Sequence, residues 1–141
     1  MKYSRTHEWV EMENDKTVII GISDRAQQLL GEIVFVELPE EGEEFEQDDP
    51  IGSIESIDGV VMNIYAPVTG EVIEVNTLLE SSPDLINRSP EGDGWIVKMR
   101  VEIPKELDAL MTPAQYENYD VDIAGEEDEN FDDFEDEEDF Y

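Results

Sequence analysis

A chain of 141 residues with a formal net charge of −31 fits one domain with a tail, and is long enough to bury a real core. From Asp120 to Tyr141 there are 13 acids and no bases, which leaves residues 1–119 with 26 acids, 8 bases and a net charge of −18. Such a body is repelled by nucleic acid and anionic lipid and drawn to basic protein surfaces, and the absence of cysteine removes disulfides, thiolate catalysis and cysteine metal sites.

Halophilic adaptation would produce the same acid-rich, lysine-poor composition. The start, Met1-Lys2-Tyr3-Ser4-Arg5-Thr6-His7-Glu8-Trp9, lacks the apolar run of a signal peptide. No segment approaches the ~20 apolar residues of a membrane span. The cytoplasm is therefore the expected compartment.

Thr17-Val18-Ile19-Ile20-Gly21-Ile22 is a short β-branched run. Ser23 then caps a short helix near Asp24–Leu30, with Asp24 at its positive end and Gly31 to stop it. Ala26, Leu29 and Leu30 fall at i, i+3 and i+4, which predicts one buried stripe. Ile33-Val34-Phe35-Val36-Glu37-Leu38 reads as a strand ended by Pro39. The acidic stretch Glu40–Asp49 lacks the spaced ligands and central glycine of a calcium loop, so a solvated face is expected there.

Ile54 to Gly70 reads as two strands around a tight turn, and Asp58-Gly59 is a strong two-residue turn signal. Glu71-Val72-Ile73-Glu74-Val75 alternates imperfectly as another strand, and Ser82-Pro83 opens one helical turn. Trp95 to Val101 is the last strand, with Trp95, Val97, Met99 and Val101 on one face. Residues 1–103 are thus expected to be mainly β.

Leu107, Leu110 and Met111 repeat at helical spacing, and Thr112-Pro113-Ala114-Gln115 has the capping-box pattern, which predicts a mainly helical 105–119. Residues 120–141 are expected to be a disordered acidic tail, interrupted by Phe131, Phe134, Phe140 and Tyr141.

These residues resemble the glycine cleavage system H protein family. The resemblance rests on Thr6-His7-Glu8-Trp9, Gly21-Ile22-Ser23-Asp24, Ala26-Gln27 and Leu30 through Pro39. It continues with Glu55-Ser56, Tyr65 through Val72, Val75-Asn76, Leu85-Ile86-Asn87 and Gly94-Trp95, covering roughly 3–119. It implies a mainly β, lipoyl-domain-like barrel-sandwich hybrid with short flanking helices and a C-terminal helix. In that family a lipoyl-lysine at the hairpin tip carries an aminomethyl group between a glycine decarboxylase, an aminomethyltransferase and a lipoamide dehydrogenase. The H protein tethers and presents the arm and does no chemistry itself.

Three departures from the family pattern stand out. Asp58 occupies the place of the lysine, or Gly59 does, because the segment from the tip to Tyr65 is one residue longer than usual. Asn63 stands where an aspartate is common, and Arg25 where a histidine is common, whereas Glu8, a family residue near the docked arm, is kept. No lysine or arginine occurs from Ala26 to Asn87, and only an amine can form the amide to lipoate. No lipoate is therefore expected, neither at the tip nor on Lys2, Lys16, Lys98 or Lys105.

Glu8 and Asn63 are the candidate residues of a residual arm pocket, with a solvated strand acid as the plainer reading of Glu8. His7, the sole histidine, reads as a structural hydrogen-bonding residue. No phosphate loop, catalytic triad or zinc pattern is present, so neither enzymatic activity nor a metal site is expected. The expected function is a non-catalytic binding or regulatory module, monomeric, directed at glycine cleavage or lipoate-handling enzymes. A true aminomethyl carrier with an unconventional attachment is the alternative. A lipoyl-type domain repurposed for another basic protein is a third reading.

Overall fold

A computed structural model describes residues 1–119. The expectation of a disordered 120–141 lies outside those residues. The strands are β1 Lys2–Tyr3, β2 Glu8–Met12, β3 Thr17–Ile22, β4 Ile33–Glu37, β5 Glu44–Phe45, β6 Pro50–Ser56, β7 Val61–Tyr65, β8 Gly70–Val75 and β9 Val97–Val101. The helices are α1 Asp24–Leu30, α2 Leu78–Ser81, α3 Leu85–Arg88 and α4 Pro113–Glu117, with a 3₁₀ turn over Pro104–Ala109.

All neighbouring strands run antiparallel. One sheet has the order β1-β2-β3-β9-β8-β5 and the other β4-β6-β7. Their inner faces meet in one core that includes Val18, Ile20, Ile22, Ile54, Ile64, Val72, Val97 and Met99. The expected mainly β fold, two sheets with short helices at the flanks, is the one observed.

Local signals placed α1 correctly. Ser23 Oγ accepts the Ala26 N–H at 3.1 Å, and Gly31, at φ 82°, ends the helix. The buried stripe is narrower than expected. Ala26 and Leu30 are buried, but Leu29 faces water. Leu29 lies about 100° round the helix from Leu30, beyond the stripe that so short a helix turns to the core.

β4 departs from simple alternation. Ile33 pairs Ser56 and Phe35 pairs Glu55, so Val34 is an extra residue in a bulge. Val34 and Phe35 both point outwards, while Ile33 and Val36 stay in the core. A similar shift between Val72 and Glu74 accounts for the imperfect alternation of β8.

The last strand begins at Val97, and Trp95 leaves its face to join a second cluster around Tyr3, Trp9 and Tyr116. The helix expected through 105–119 is divided. Met111 exchanges both backbone hydrogen bonds with Tyr3, at 2.7 and 2.8 Å, so the chain is extended there. Pro113 also disfavours a helical Thr112. α4 then starts with the expected capping box between Thr112 and Gln115.

Candidate functional site

β6 and β7 project a hairpin from the smaller sheet, with Glu55 opposite Val61 and Ser53 opposite Asn63. The turn is not the two-residue Asp58-Gly59 turn expected from sequence. Gly59 N–H donates to Ser56 O at 2.9 Å, Ser56 N–H donates to Val60 O at 2.9 Å, and Gly59 alone in the loop has positive φ, at 86°. Ile57-Asp58-Gly59 is thus a three-residue loop, a type I-like turn followed by a left-handed glycine. The two-residue form needs a left-handed Asp58 as well, and the extra residue between the strands removes that need.

The tip is tied down. Val60 N–H reaches Ser56 Oγ at 3.2 Å, and Ile57 N–H donates to Glu32 O, in the α1–β4 connection, at 2.8 Å. Asp58 sits exposed at the apex.

The lysines lie elsewhere. Lys2 is in β1, where its Nζ donates to Leu107 O at 3.1 Å, and Lys98 in β9 pairs with Glu13 at 2.8 Å and Glu74 at 3.6 Å. Lys16 is in the β2–β3 turn and Lys105 in the 3₁₀ turn. None belongs to the three-stranded sheet that carries the hairpin.

Glu8 is fully buried, which overturns its reading as a solvated acid. Its Oε1 accepts from Ser4 Oγ at 2.5 Å and from Thr6 Oγ1, and its Oε2 accepts the Tyr65 N–H at 3.0 Å. The carboxyl therefore clamps the end of β7 to the β1–β2 turn. Burial pushes it up to about 7, against the opposing pull of those three donors. Asn63 is exposed on the outer face of β7, with its Nδ2 at 3.5 Å from Tyr65 Oη. Tyr65 is thus the common neighbour of both residues singled out from sequence.

The family model described as glycine cleavage H-protein matches residues 1–123. The glycine cleavage system H protein of Symbiobacterium thermophilum is 48% identical over 119 residues, covering 84% of this chain and 91% of that one. That of Bacillus licheniformis is 49% identical over 118 residues, with 84% and 91% covered. The crystal structure of a glycine cleavage system H protein from Mycobacterium marinum matches with a TM-score of 0.70 at 32% identity, covering 82% of this chain and 91% of that one. The chain belongs to the glycine cleavage H-protein family. The H protein is a carrier in that system and not a catalyst, so the chain is not one of its enzymes.

Within this H-family fold the neighbours of Glu8 form a latch that sequence reasoning missed. Tyr116 Oη lies 2.5 Å from His7 Nδ1 and 2.6 Å from Ser23 Oγ, so one hydroxyl joins the β1–β2 turn, the cap of α1 and α4. The Tyr116 ring stacks on Tyr3 at 4.3 Å, and the Arg25 guanidinium lies 4.3 Å from its centroid. Arg25 also donates to the carbonyls of Tyr116, at 2.7 Å, and Tyr119, closing the end of α4. The structural reading of His7 holds: it is buried, at φ 76°. The one signal for the partner was the capping box that places Tyr116 in α4. Nothing local aims it at His7, 109 residues away.

His7 and Glu8 oppose each other in pH dependence. Burial, with Arg25 adding to it, lowers His7 to about 4. Between about 4 and 6.5 the unfolded chain holds the His7 proton, so this contribution to stability is lost as pH falls. Glu8 is raised, so between 4.5 and about 7 the folded chain holds its proton, and that contribution is lost as pH rises. Glu8→Gln keeps an acceptor for Tyr65 and removes the titration. Its stability relative to the native chain is expected to rise by about 1 kcal/mol per pH unit from 4.5 to 7. Parallel urea melts across that range check this. A constant difference would show that Glu8 does not titrate there.

No helix among the described residues is long and apolar enough to cross a membrane, and no group of metal-binding side chains occurs among them.

Proposed function

We propose that this H-family chain is a non-lipoylated binding module that engages glycine cleavage or lipoate-handling enzymes as scaffold, regulator or decoy. The observation that carries the reading is the hairpin tip, where Ile57-Asp58-Gly59 stands without an amine and every lysine lies on or beside the other sheet. Carboxylate and hydrogen cannot form the amide to lipoate. Tyr65, between Glu8 and Asn63, marks the residual arm pocket in this proposal.

A second reading is favoured by the family match itself. Relatives close to half identical over 84% of the chain bear the carrier's name, which supports an aminomethyl carrier loaded by an unconventional attachment. Mass spectrometry of protein purified from its own cell separates the two. The module is expected to show the mass of the bare chain. A lipoyl group on Lys2, Lys16, Lys98 or Lys105 would overturn it in favour of the carrier. Retention of one of the system's enzymes, or of a lipoate ligase, on the immobilised bare chain completes the test.

A further inference from the structure

The hairpin that lacks an amine is unusually apolar on its outside. Phe35 is 55% exposed, Ile57 61% and Val61 57%, and their chain neighbours Val34 and Val60 are exposed too. Scattered single apolar residues are normal on a protein surface, but a contiguous group is not. The topology gathers Phe35 and Val61 on one outer face, on either side of Glu55. Phe35 in β4 and Val61 in β7 are both opposite Glu55 in β6, on the face turned away from the core. Two strand spacings separate them, roughly 10 Å, with only the Glu55 side chain between. The β4 bulge adds Val34 to that face, and Ile57 and Val60 continue it at the tip.

The loop backbone is held by hydrogen bonds from Ile57 to Glu32, from Gly59 to Ser56 and from Ser56 to Val60, so the tip side chains project from a defined frame.

Charge selects the occupant. Glu32, Glu37, Glu55 and Asp58 surround the patch, and no base lies between Ala26 and Asn87. None of the four is in an ion pair among the described residues. A second copy would bring like charge against like, as would the acidic segment 120–141, and anionic lipid and nucleic acid are repelled.

We propose that the outer face of the β4–β6–β7 sheet, with its tip, is a docking surface for a protein presenting an apolar groove rimmed by lysine or arginine. Docking here needs no arm. The class of partner rests on the binding-module reading, but the surface does not.

Two arms test it. In the first, a short peptide alternating leucine and lysine is titrated into the full chain and followed by amide resonances. Shifts are expected at 29–37 and 55–61. A control peptide with serine for leucine is expected to bind at least about tenfold more weakly. Shifts spread over the whole acidic surface, or equal binding of the control, would overturn the proposal. In the second, the native chain and a Phe35→Ser, Ile57→Ser, Val61→Ser variant are compared against purified glycine cleavage and lipoate-handling enzymes of the same organism. The variant keeps the charge and is expected to lose binding about tenfold or more. Equal binding of variant and native chain to an enzyme would overturn the surface and leave the module reading standing. Binding of the native chain to none of them would overturn the module reading, with the surface decided by the first arm. If the triple variant loses its amide dispersion, Glu32→Gln with Glu37→Gln replaces it. Weaker binding then supports the basic rim, and unchanged binding rejects it.

Discussion

Asp58→Lys, expressed beside an active lipoate ligase, is expected to take up lipoate on a fraction of the molecules, whereas the native chain stays bare. The change places an amine at the exposed apex of the loop. Asp58 is not left-handed, so a lysine there adds no backbone strain. Gly59 is at φ 86°, where a side chain costs roughly 1–2 kcal/mol, so Gly59→Lys is expected to melt several degrees lower and to be modified less. Modification at Asp58→Lys should remain partial because the three-residue loop ends in a left-handed glycine, which turns the apex away from a two-residue geometry. Intact mass and melting curves read both effects. Complete modification of Gly59→Lys with Asp58→Lys bare would move the equivalent position to Gly59.

Tyr116→Ala is expected to lower stability by about 3 kcal/mol, the range for truncating a buried aromatic. That is roughly 10 °C or more in melting temperature for a domain of this size. The loss has identifiable parts: the stack on Tyr3, the Arg25 contact, and the hydroxyl shared by His7 and Ser23. Tyr116→Phe keeps the first two, and should cost only about 1 kcal/mol, from leaving the buried His7 ring without its partner. His7 Nε2 already has no partner among the described residues, so Nδ1 is the ring's one hydrogen bond. A loss within 0.5 kcal/mol for Tyr116→Ala, on the order of an ordinary surface change, would mean that α4 does not dock in solution. The two variants also separate function from stability, since neither touches the hairpin.

The features that the amino-acid sequence determines by itself are local in their physics. β3 follows from a run of β-branched residues, and α1 from Ser23 and Gly31, which act within a few residues of themselves. The hairpin's existence and position follow from Asp58-Gly59 between apolar runs, and the capping box at Thr112 is complete in four residues. That no lysine or arginine occurs from Ala26 to Asn87 is a matter of composition, and no fold can alter it.

The rest was decided by contacts between distant segments. The spacing of Leu29 predicts a core position, yet it is exposed because α1 turns only Ala26 and Leu30 inwards. Val34 and Phe35 came to face water together because register with β6 forced a bulge, and an alternating pattern carries no mark of a register shift. The turn type differs from the expected one for a related reason: both loop forms accept Asp-Gly, and strand pairing on either side chooses between them. Glu8 illustrates the difference most plainly. A glutamate in a sequence reads as a solvated charge, and burying one is costly unless donors are waiting for it. Those donors are Ser4 and Thr6, close by, and the Tyr65 N–H, 57 residues away. Only the folded chain brings the end of β7 to that carboxyl, so its burial, its raised proton affinity and its hold on the hairpin belong to the tertiary structure alone.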